Sequence, residues 1–141
     1  MVGEWSAIRI TLRLEPMTNV QSARARPIIY LGCPYTHSDP KVREERFEKA
    51  TRAAAHLIEK GHIVYSPITM THPIDLVLAA EGDTLGSAYW VAFDQAFMEC
   101  CAEMLVLKLD GWEQSSGIQR EMEFLKKQGR PVRFLDPNAI V

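Results

Sequence analysis

From residue 27 onward, short apolar segments alternate with longer amphipathic ones, and no other feature constrains the fold as strongly. Ile28 to Leu31, Ile63 to Tyr65, Met104 to Leu109 and Pro131 to Leu135 have the length and apolar content of strands buried on both faces. Helical patterns with their own punctuation lie between them. Asp39 reads as an N-cap and Pro40 as a first helical residue; the helix runs to Lys60, and Gly61 stops it. Phe47, Ala50, Ala54, Leu57 and Ile58 form its inner face. Further helices are expected at about Ser87 to Cys101 and at Gly117 to Gln128, the latter stopped by Gly129, with a loop and short helix around Pro73 to Ala80. This order implies an α/β fold, a parallel sheet of four to five strands with helices on both faces. Ligands in such folds bind beyond the C-terminal strand ends. Here that edge carries the loops after Tyr30, Tyr65 and Leu109.

Residues 1–26 read as an N-terminal extension and residues 27–141 as a single α/β domain. In the extension, Ile8, Ile10, Leu12 and Leu14 alternate with Arg9, Thr11 and Arg13, a half-buried strand pattern. It suits an added edge strand, a strand given to a partner, or a loosely ordered extension. The net charge of −2 gives no electrostatic case for a nucleic acid polymer. No apolar run nears the roughly 18 residues of a membrane span, and no signal-peptide pattern precedes the domain. Three cysteines, none in a CxxC pair, argue against a disulfide framework or structural zinc and for reduced thiols in a cytoplasmic protein. No two histidines have metal-ligand spacing with a carboxylate, so no metal is expected, and no cofactor is implied.

Two carboxylates break the helical pattern. With Ile118 at zero and about 100° per residue, Met122 falls near 40°, Leu125 near 340° and Glu121 near 300°, inside the apolar arc. In the preceding helix, Trp90, Phe93, Phe97, Met98 and Cys101 define the inward stripe, and Asp94 falls near 40° within it. Carboxylates are rarely buried without a partner or a task. Two on inward faces of successive helices suggest an acid/base or nucleophile pair.

The loop before the Glu121 helix reads Gly111-Trp112-Glu113-Gln114-Ser115-Ser116-Gly117. Ser116 and Gln119 have capping-box spacing, which leaves Ser115 free to meet a ligand. Gly117 leaves the amides at the helix start open to an anion or a hydroxyl. Glu121 lies in the early turns, where the helix dipole favours its ionised form. The loop after the first strand supplies Pro34, Tyr35, Thr36 and His37, and His72 follows another loop signal at the same edge.

The spacing Ser115-x-Gly117-x-x-x-Glu121 resembles the nucleophile motif of the nucleoside 2-deoxyribosyltransferase superfamily. So do the opening Tyr30-Leu31-Gly32-Cys33-Pro34-Tyr35, Tyr65-Ser66-Pro67 after the second strand, and Asp94 ahead of the Met104-to-Leu109 strand. Pro34-Tyr35, His72, Trp90, Asp94 and Gly111-Trp112 look most like an uncharacterised bacterial and phage branch. The likeness covers about residues 28 to 135. It implies a flavodoxin-like, Rossmann-like enzyme that cleaves the N-glycosidic bond of a nucleoside or nucleotide. On this likeness Glu121 attacks the anomeric carbon, Tyr30 holds its rotamer, Asp94 serves the leaving base, and a homo-oligomeric neighbour completes the site. Trp112 would stack on the base or else pin its loop. The transferases carry an aspartate where Ser115 stands, so a serine resembles the nucleoside 5′-monophosphate N-hydrolases instead. Those hydrolases also use a first-loop serine and arginine, whose positions here hold Pro34 and Thr36; Thr36, His37 or Arg43 would have to take over that role. Two other readings fit the residues: a non-catalytic nucleotide-binding or sensor module on the same fold, and a small interaction protein whose N-terminal strand pairs with a partner edge.

Overall fold

Successive residues of the central strands point to opposite sides of the sheet, and both sides are buried. The computed structural model describes residues 26–82 and 85–140. Ile28–Gly32 (β1), Ile63–Tyr65 (β2), Glu103–Leu107 (β3) and Val132–Leu135 (β4) form one parallel sheet in the order β2-β1-β3-β4. Ile29, Leu31, Leu105 and Leu107 face one core with Ala50, Ala53, Ala54 and Leu57 of helix α1, Pro40–Glu59. Ile68 of helix α2, Pro67–Ala80, joins that core. Tyr30, Met104 and Val106 face the other core. They meet Met98 of helix α3, Ser87–Met98, and Ile118 and Leu125 of helix α4, Ser116–Lys127. The period of two in the strands thus sorts the helices onto two faces, and the chain is an α/β protein with a parallel sheet.

Local chemistry sets the element ends. Asp39 accepts a hydrogen bond from the Lys41 amide at 2.9 Å, and Pro40 opens α1. Gly61 (φ 86°) and Gly129 (φ 70°) take the left-handed conformation that ends α1 and α4. Arg130 Nη1 donates to the carbonyls of Met98 and Cys101, each at 2.7 Å, and so satisfies the C-terminal end of α3.

Several expectations need correction. The short helix expected around Pro73 begins earlier, at Pro67, and carries Pro73 in its interior. Pro67 acts as a starter residue, and the helix tolerates the one amide that Pro73 lacks. Ile58 is 55% exposed, and Ala53 takes the inward place assigned to it. Phe93, Trp90 and Phe97 are only half-buried, stacking along the outer side of the sheet rather than forming a sealed stripe. The strand expected at Ile8 to Leu14 lies outside the described residues. Among the described residues, no helix is long and apolar enough to cross a membrane.

The topology creates one special place. β1 leads outward to β2, whereas β3 leads the opposite way to β4, and β1 and β3 are neighbours. Their C-terminal ends therefore open a crevice between diverging connections, the switch point at which ligands bind in open α/β sheets.

The two cores carry the stability of the domain, and exposed helix residues outside them contribute little. Leu105→Ala, at a side chain 1% exposed in the central β3, should cost about 2–5 kcal/mol. Ile58→Ala, at a side chain 55% exposed on α1, should change stability by less than about 0.5 kcal/mol. Urea unfolding followed by circular dichroism measures both.

Candidate active site

Glu121 reaches the switch point from the second turn of α4 and lies against the end of β1. The Tyr30 hydroxyl donates to Glu121 Oε1 at 2.9 Å. Tyr30 is fully buried, with its ring 6.0 Å from that of Tyr65, so its hydroxyl is fixed. A Cβ added to Gly32 would come within 2.3 Å of Met104 Cε and 3.3 Å of Glu121 Oε2. A larger residue would therefore displace the tip of Met104 and crowd the Glu121 carboxylate and Ile118 by a few tenths of an ångström. Gly32 was not among the expected site residues, although a glycine ending a central strand signals close approach of another group.

Glu121 stands where two lobes of one cleft meet. The first lobe has a volume of about 440 Å³, within the range of small-molecule sites. Its apolar wall includes Pro67, Ile68, Leu85, Trp90, Val91 and Met98, and Asp94, Gln95, His37 and Arg43 add polar groups. The second lobe, about 380 Å³, is bounded by Arg46, Gly111, Gln114, Ser115, Ser116 and the start of α4. Cys33, Tyr35, Thr36, Gly117, Arg120 and Glu121 border both.

Electrostatics single out the same residues. Burial pushes Glu121 up to about 8, with the nearby Asp94 charge adding to the rise and the Tyr30 hydrogen bond and Arg120 opposing it. The helix start was expected to keep this carboxylate ionised; loss of water outweighs that field. Burial also lifts Asp94 to about 6. Asp94 Oδ1 is shielded and has no hydrogen-bond partner among the described residues. A carboxylate oxygen left unpaired in a cleft wall keeps its acceptor capacity unspent within the described fold. Tyr30 is pushed well above the ordinary phenol range by burial and then by Glu121, so it remains a donor.

The other expected site residues divide. Ser115, not Ser116, caps α4: its Oγ accepts from the Ile118 amide at 3.3 Å. Ser116 is instead the first helical residue, and Gln119 Nε2 donates to the Glu113 carbonyl at 2.8 Å, so no capping box forms. Ser115 still borders the second lobe, but one of its lone pairs is engaged. Gly117 borders both lobes, where a Cβ would meet nothing closer than 3.7 Å. Trp112 opens the 3-10 turn Trp112–Gln114 and packs on Phe134 at 5.3 Å, outside the cleft lining. It pins its loop to β4. Pro34 is buried behind the cleft. His37 borders the first lobe, its Nδ1 accepting from the Asp39 amide at 3.0 Å and its carbonyl from Arg43. His72 is buried behind Tyr35 and touches neither lobe directly.

Arg46 and Arg120 were missed. Arg46 donates from Nη1 to the Thr36 carbonyl at 3.2 Å and from Nη2 to the Asp110 carbonyl at 3.0 Å. It thus ties the loops after β1 and β3 together across the switch point. Both residues read as ordinary helix-surface arginines in sequence, and only the topology turns them toward the cleft. Among the described residues, no three His, Cys, Asp or Glu side chains gather as metal ligands would.

Fold and site together give an α/β domain with a parallel sheet and a buried carboxylate lining a cleft at its switch point. Residues 27–136 match the family described as a domain of unknown function, DUF1937, and the chain belongs to that family. No curated protein matches the chain in sequence.

The raised proton affinity of Glu121 has a consequence for stability. Between the ordinary carboxylate range and pH 8 the folded chain holds a proton that the unfolded chain has lost. That contribution is fully present below the ordinary range and is lost as pH rises through about 8. Glu121→Gln keeps an acceptor for Tyr30 and carries no charge, so its melting temperature should exceed that of the wild type increasingly from pH 5 to 9. A gain of roughly 3 °C or more at the upper end is expected by scanning calorimetry.

Proposed function

We propose that this protein cleaves the N-glycosidic bond of a nucleoside 5′-monophosphate or nucleoside, with Glu121 as nucleophile. The observation that carries this reading is the Glu121 carboxylate, held by Tyr30 at the junction of an apolar lobe and a cationic, amide-rich one. A nucleotide has that shape: a flat apolar base, a sugar, and an anion. The apolar lobe suits the base, with the unpartnered Asp94 oxygen and Gln95 on its wall for polar edges. The second lobe suits the phosphate, since Arg46, Arg120 and the first amides of α4 border it. These arginines, with Thr36, supply what Pro34 cannot. The sugar then lies against Glu121, whose carboxylate stabilises an oxocarbenium-like transition state and captures it. Asp94 donates or orders the proton taken up by the leaving base. Ser115, adding no negative charge to the second lobe, favours a phosphorylated substrate with water as the acceptor over base exchange. The likeness of Ser115-x-Gly117-x-x-x-Glu121 to the nucleoside 2-deoxyribosyltransferase motif supports the same chemistry.

The order of proton affinities favours a second reading, in which Glu121 is the general acid and Asp94 the anion. The pH profile separates the two. A nucleophilic Glu121 must ionise, so kcat/KM rises as pH approaches 8 and is lost as pH falls. An acidic Glu121 gives the opposite limb. Incubation with a panel of nucleosides and their 5′-monophosphates, with chromatography for free base, tests the activity itself. Glu121→Ala should lower turnover by roughly a thousandfold or more with the fold intact. A variant that keeps more than about a tenth of wild-type turnover defeats the nucleophile assignment.

We also read the chain as a homo-oligomer acting in the cytoplasm. Met70, Ile74, Leu76 and Val77 of α2 and Tyr89 of α3 are exposed apolar side chains. Light scattering at micromolar concentration should give at least a dimer, and Val77→Lys should shift it toward monomer; a monomeric wild type that is active defeats this reading.

A further inference from the structure

Three polar side chains from three elements form a line between the surface and the cleft. Glu44 of α1 leaves 51% of its side chain exposed, and its Oε2 lies 2.8 Å from His72 Nε2. His72 Nδ1 lies 2.6 Å from the Tyr35 hydroxyl. The His72 side chain is nearly sealed from solvent, its ring stacked on Phe47 at 4.5 Å and set edge-on to Tyr35. Tyr35, in the loop after β1, borders both lobes of the cleft.

Glu44 fixes the direction of the first bond in this line. A carboxylate only accepts, so His72 Nε2 carries a proton. In the neutral imidazole Nδ1 is then an acceptor, and the Tyr35 hydroxyl donates to it. The proton of Tyr35 is thereby committed away from the cleft, and the remaining lone pairs of its oxygen are free to receive a donor. A histidine that merely filled the core would need one satisfied nitrogen. Here both are engaged, and the far end of the line is a cleft residue.

We infer that Glu44 and His72 are positioning residues that hold the Tyr35 hydroxyl as an acceptor for a sugar hydroxyl at the junction of the lobes. This rests on the reading of the cleft as a nucleotide site, because the sugar is the part of such a ligand that brings hydroxyl donors to Glu121. With the phosphate in the second lobe, the hydroxyls concerned are those at the 2′ and 3′ positions. The Glu44–His72–Tyr35 line would then set sugar specificity from a residue, Glu44, that touches no ligand.

Two measurements on the full chain test this. Nitrogen-15 NMR of the imidazole should show His72 as the Nε2–H tautomer, a readout independent of any catalytic role; the Nδ1–H tautomer overturns the proposal. Calorimetry in a Glu121→Gln background, where turnover is stopped, then uses the ribo- and 2′-deoxynucleoside 5′-monophosphates of the four bases. Tyr35→Phe should weaken binding of the best of these about fivefold, and Glu44→Ala by a comparable factor. Glu44→Ala should add nothing once Tyr35 is Phe, and the 2′,3′-dideoxy counterparts should bind all variants alike. Additive losses, equal losses with the dideoxy probes, or no binding of any probe overturn the proposal. Intact binding with no base release by the wild type defeats the glycosidase reading and leaves the Tyr35 assignment standing.

Discussion

The hydrogen bond between Tyr30 and Glu121 joins the sheet to the cleft, and the arrangement of the site depends on it. Tyr30 is the middle residue of β1, paired in register with Tyr65 and Met104, so its side chain cannot move without moving the sheet. Its hydroxyl is the one strong donor that meets the carboxylate from the core side. Gly32, two residues on, leaves the space into which that carboxylate fits. A strand thus supplies both the donor and the gap, and a helix from the other side of the switch point supplies the acid. Rigid elements rather than loops fix the charge, as precise chemistry requires.

The strand order explains why the cleft has two unlike lobes. The connection from β1 carries Cys33, Tyr35, Thr36 and the arginines of α1, whereas the long connection from β2 to β3 brings α2 and α3 with their apolar and aromatic side chains. The connection from β3 brings the start of α4. Arg46 holds the first and last of these together through two carbonyls. The aromatic wall and the amide-rich wall therefore come from different crossovers and meet only at the switch point. The proposed nucleotide substrate, with one apolar end and one anionic end, would match such a junction.

The strands, three of the helices and the placement of Glu121 and Asp94 were legible because they rest on periodicity, which one sequence displays in full. Glu121 stood out as an acid on an apolar arc, and the cause of the anomaly is visible in the fold: its arc faces both the core and the cleft. What escaped the sequence depended on pairs of elements far apart in the chain. Arg46 looked like any charged helix residue until the loops after β1 and β3 were brought beside it. Gly32 looked like a turn glycine until α4 was packed against it. The capping role went to Ser116 by motif spacing, whereas the 3-10 turn at Trp112–Gln114 shifts the helix start by one residue and gives it to Ser115. Pro73 suggested a boundary because a proline usually ends a helix, yet α2 begins at another proline and runs through it.

Three features of this fold oppose its stability, and all three lie in one place. Glu121 is a buried acid whose ionisation the interior disfavours. Asp94 keeps a shielded oxygen without a partner among the described residues. Gly32 gives up side-chain packing in a central strand and carries the entropy cost of glycine. Elsewhere the described chain follows many local rules, with side-chain caps on α1 and α4, left-handed glycines after α1, α2 and α4 and a core sorted by strand alternation. Other exceptions lie apart from the cleft, such as the buried His62 Nδ1, but only here do a buried acid, an unpartnered carboxylate oxygen and a strand glycine adjoin. An apolar residue at position 121 or 94 would satisfy the core better, so packing alone does not account for the carboxylates. Tyr30 gives Glu121 one hydrogen bond and Asp94 Oδ1 has none among the described residues, so the two carboxylates keep lone pairs that the described fold does not use, which is the property the proposed chemistry draws on.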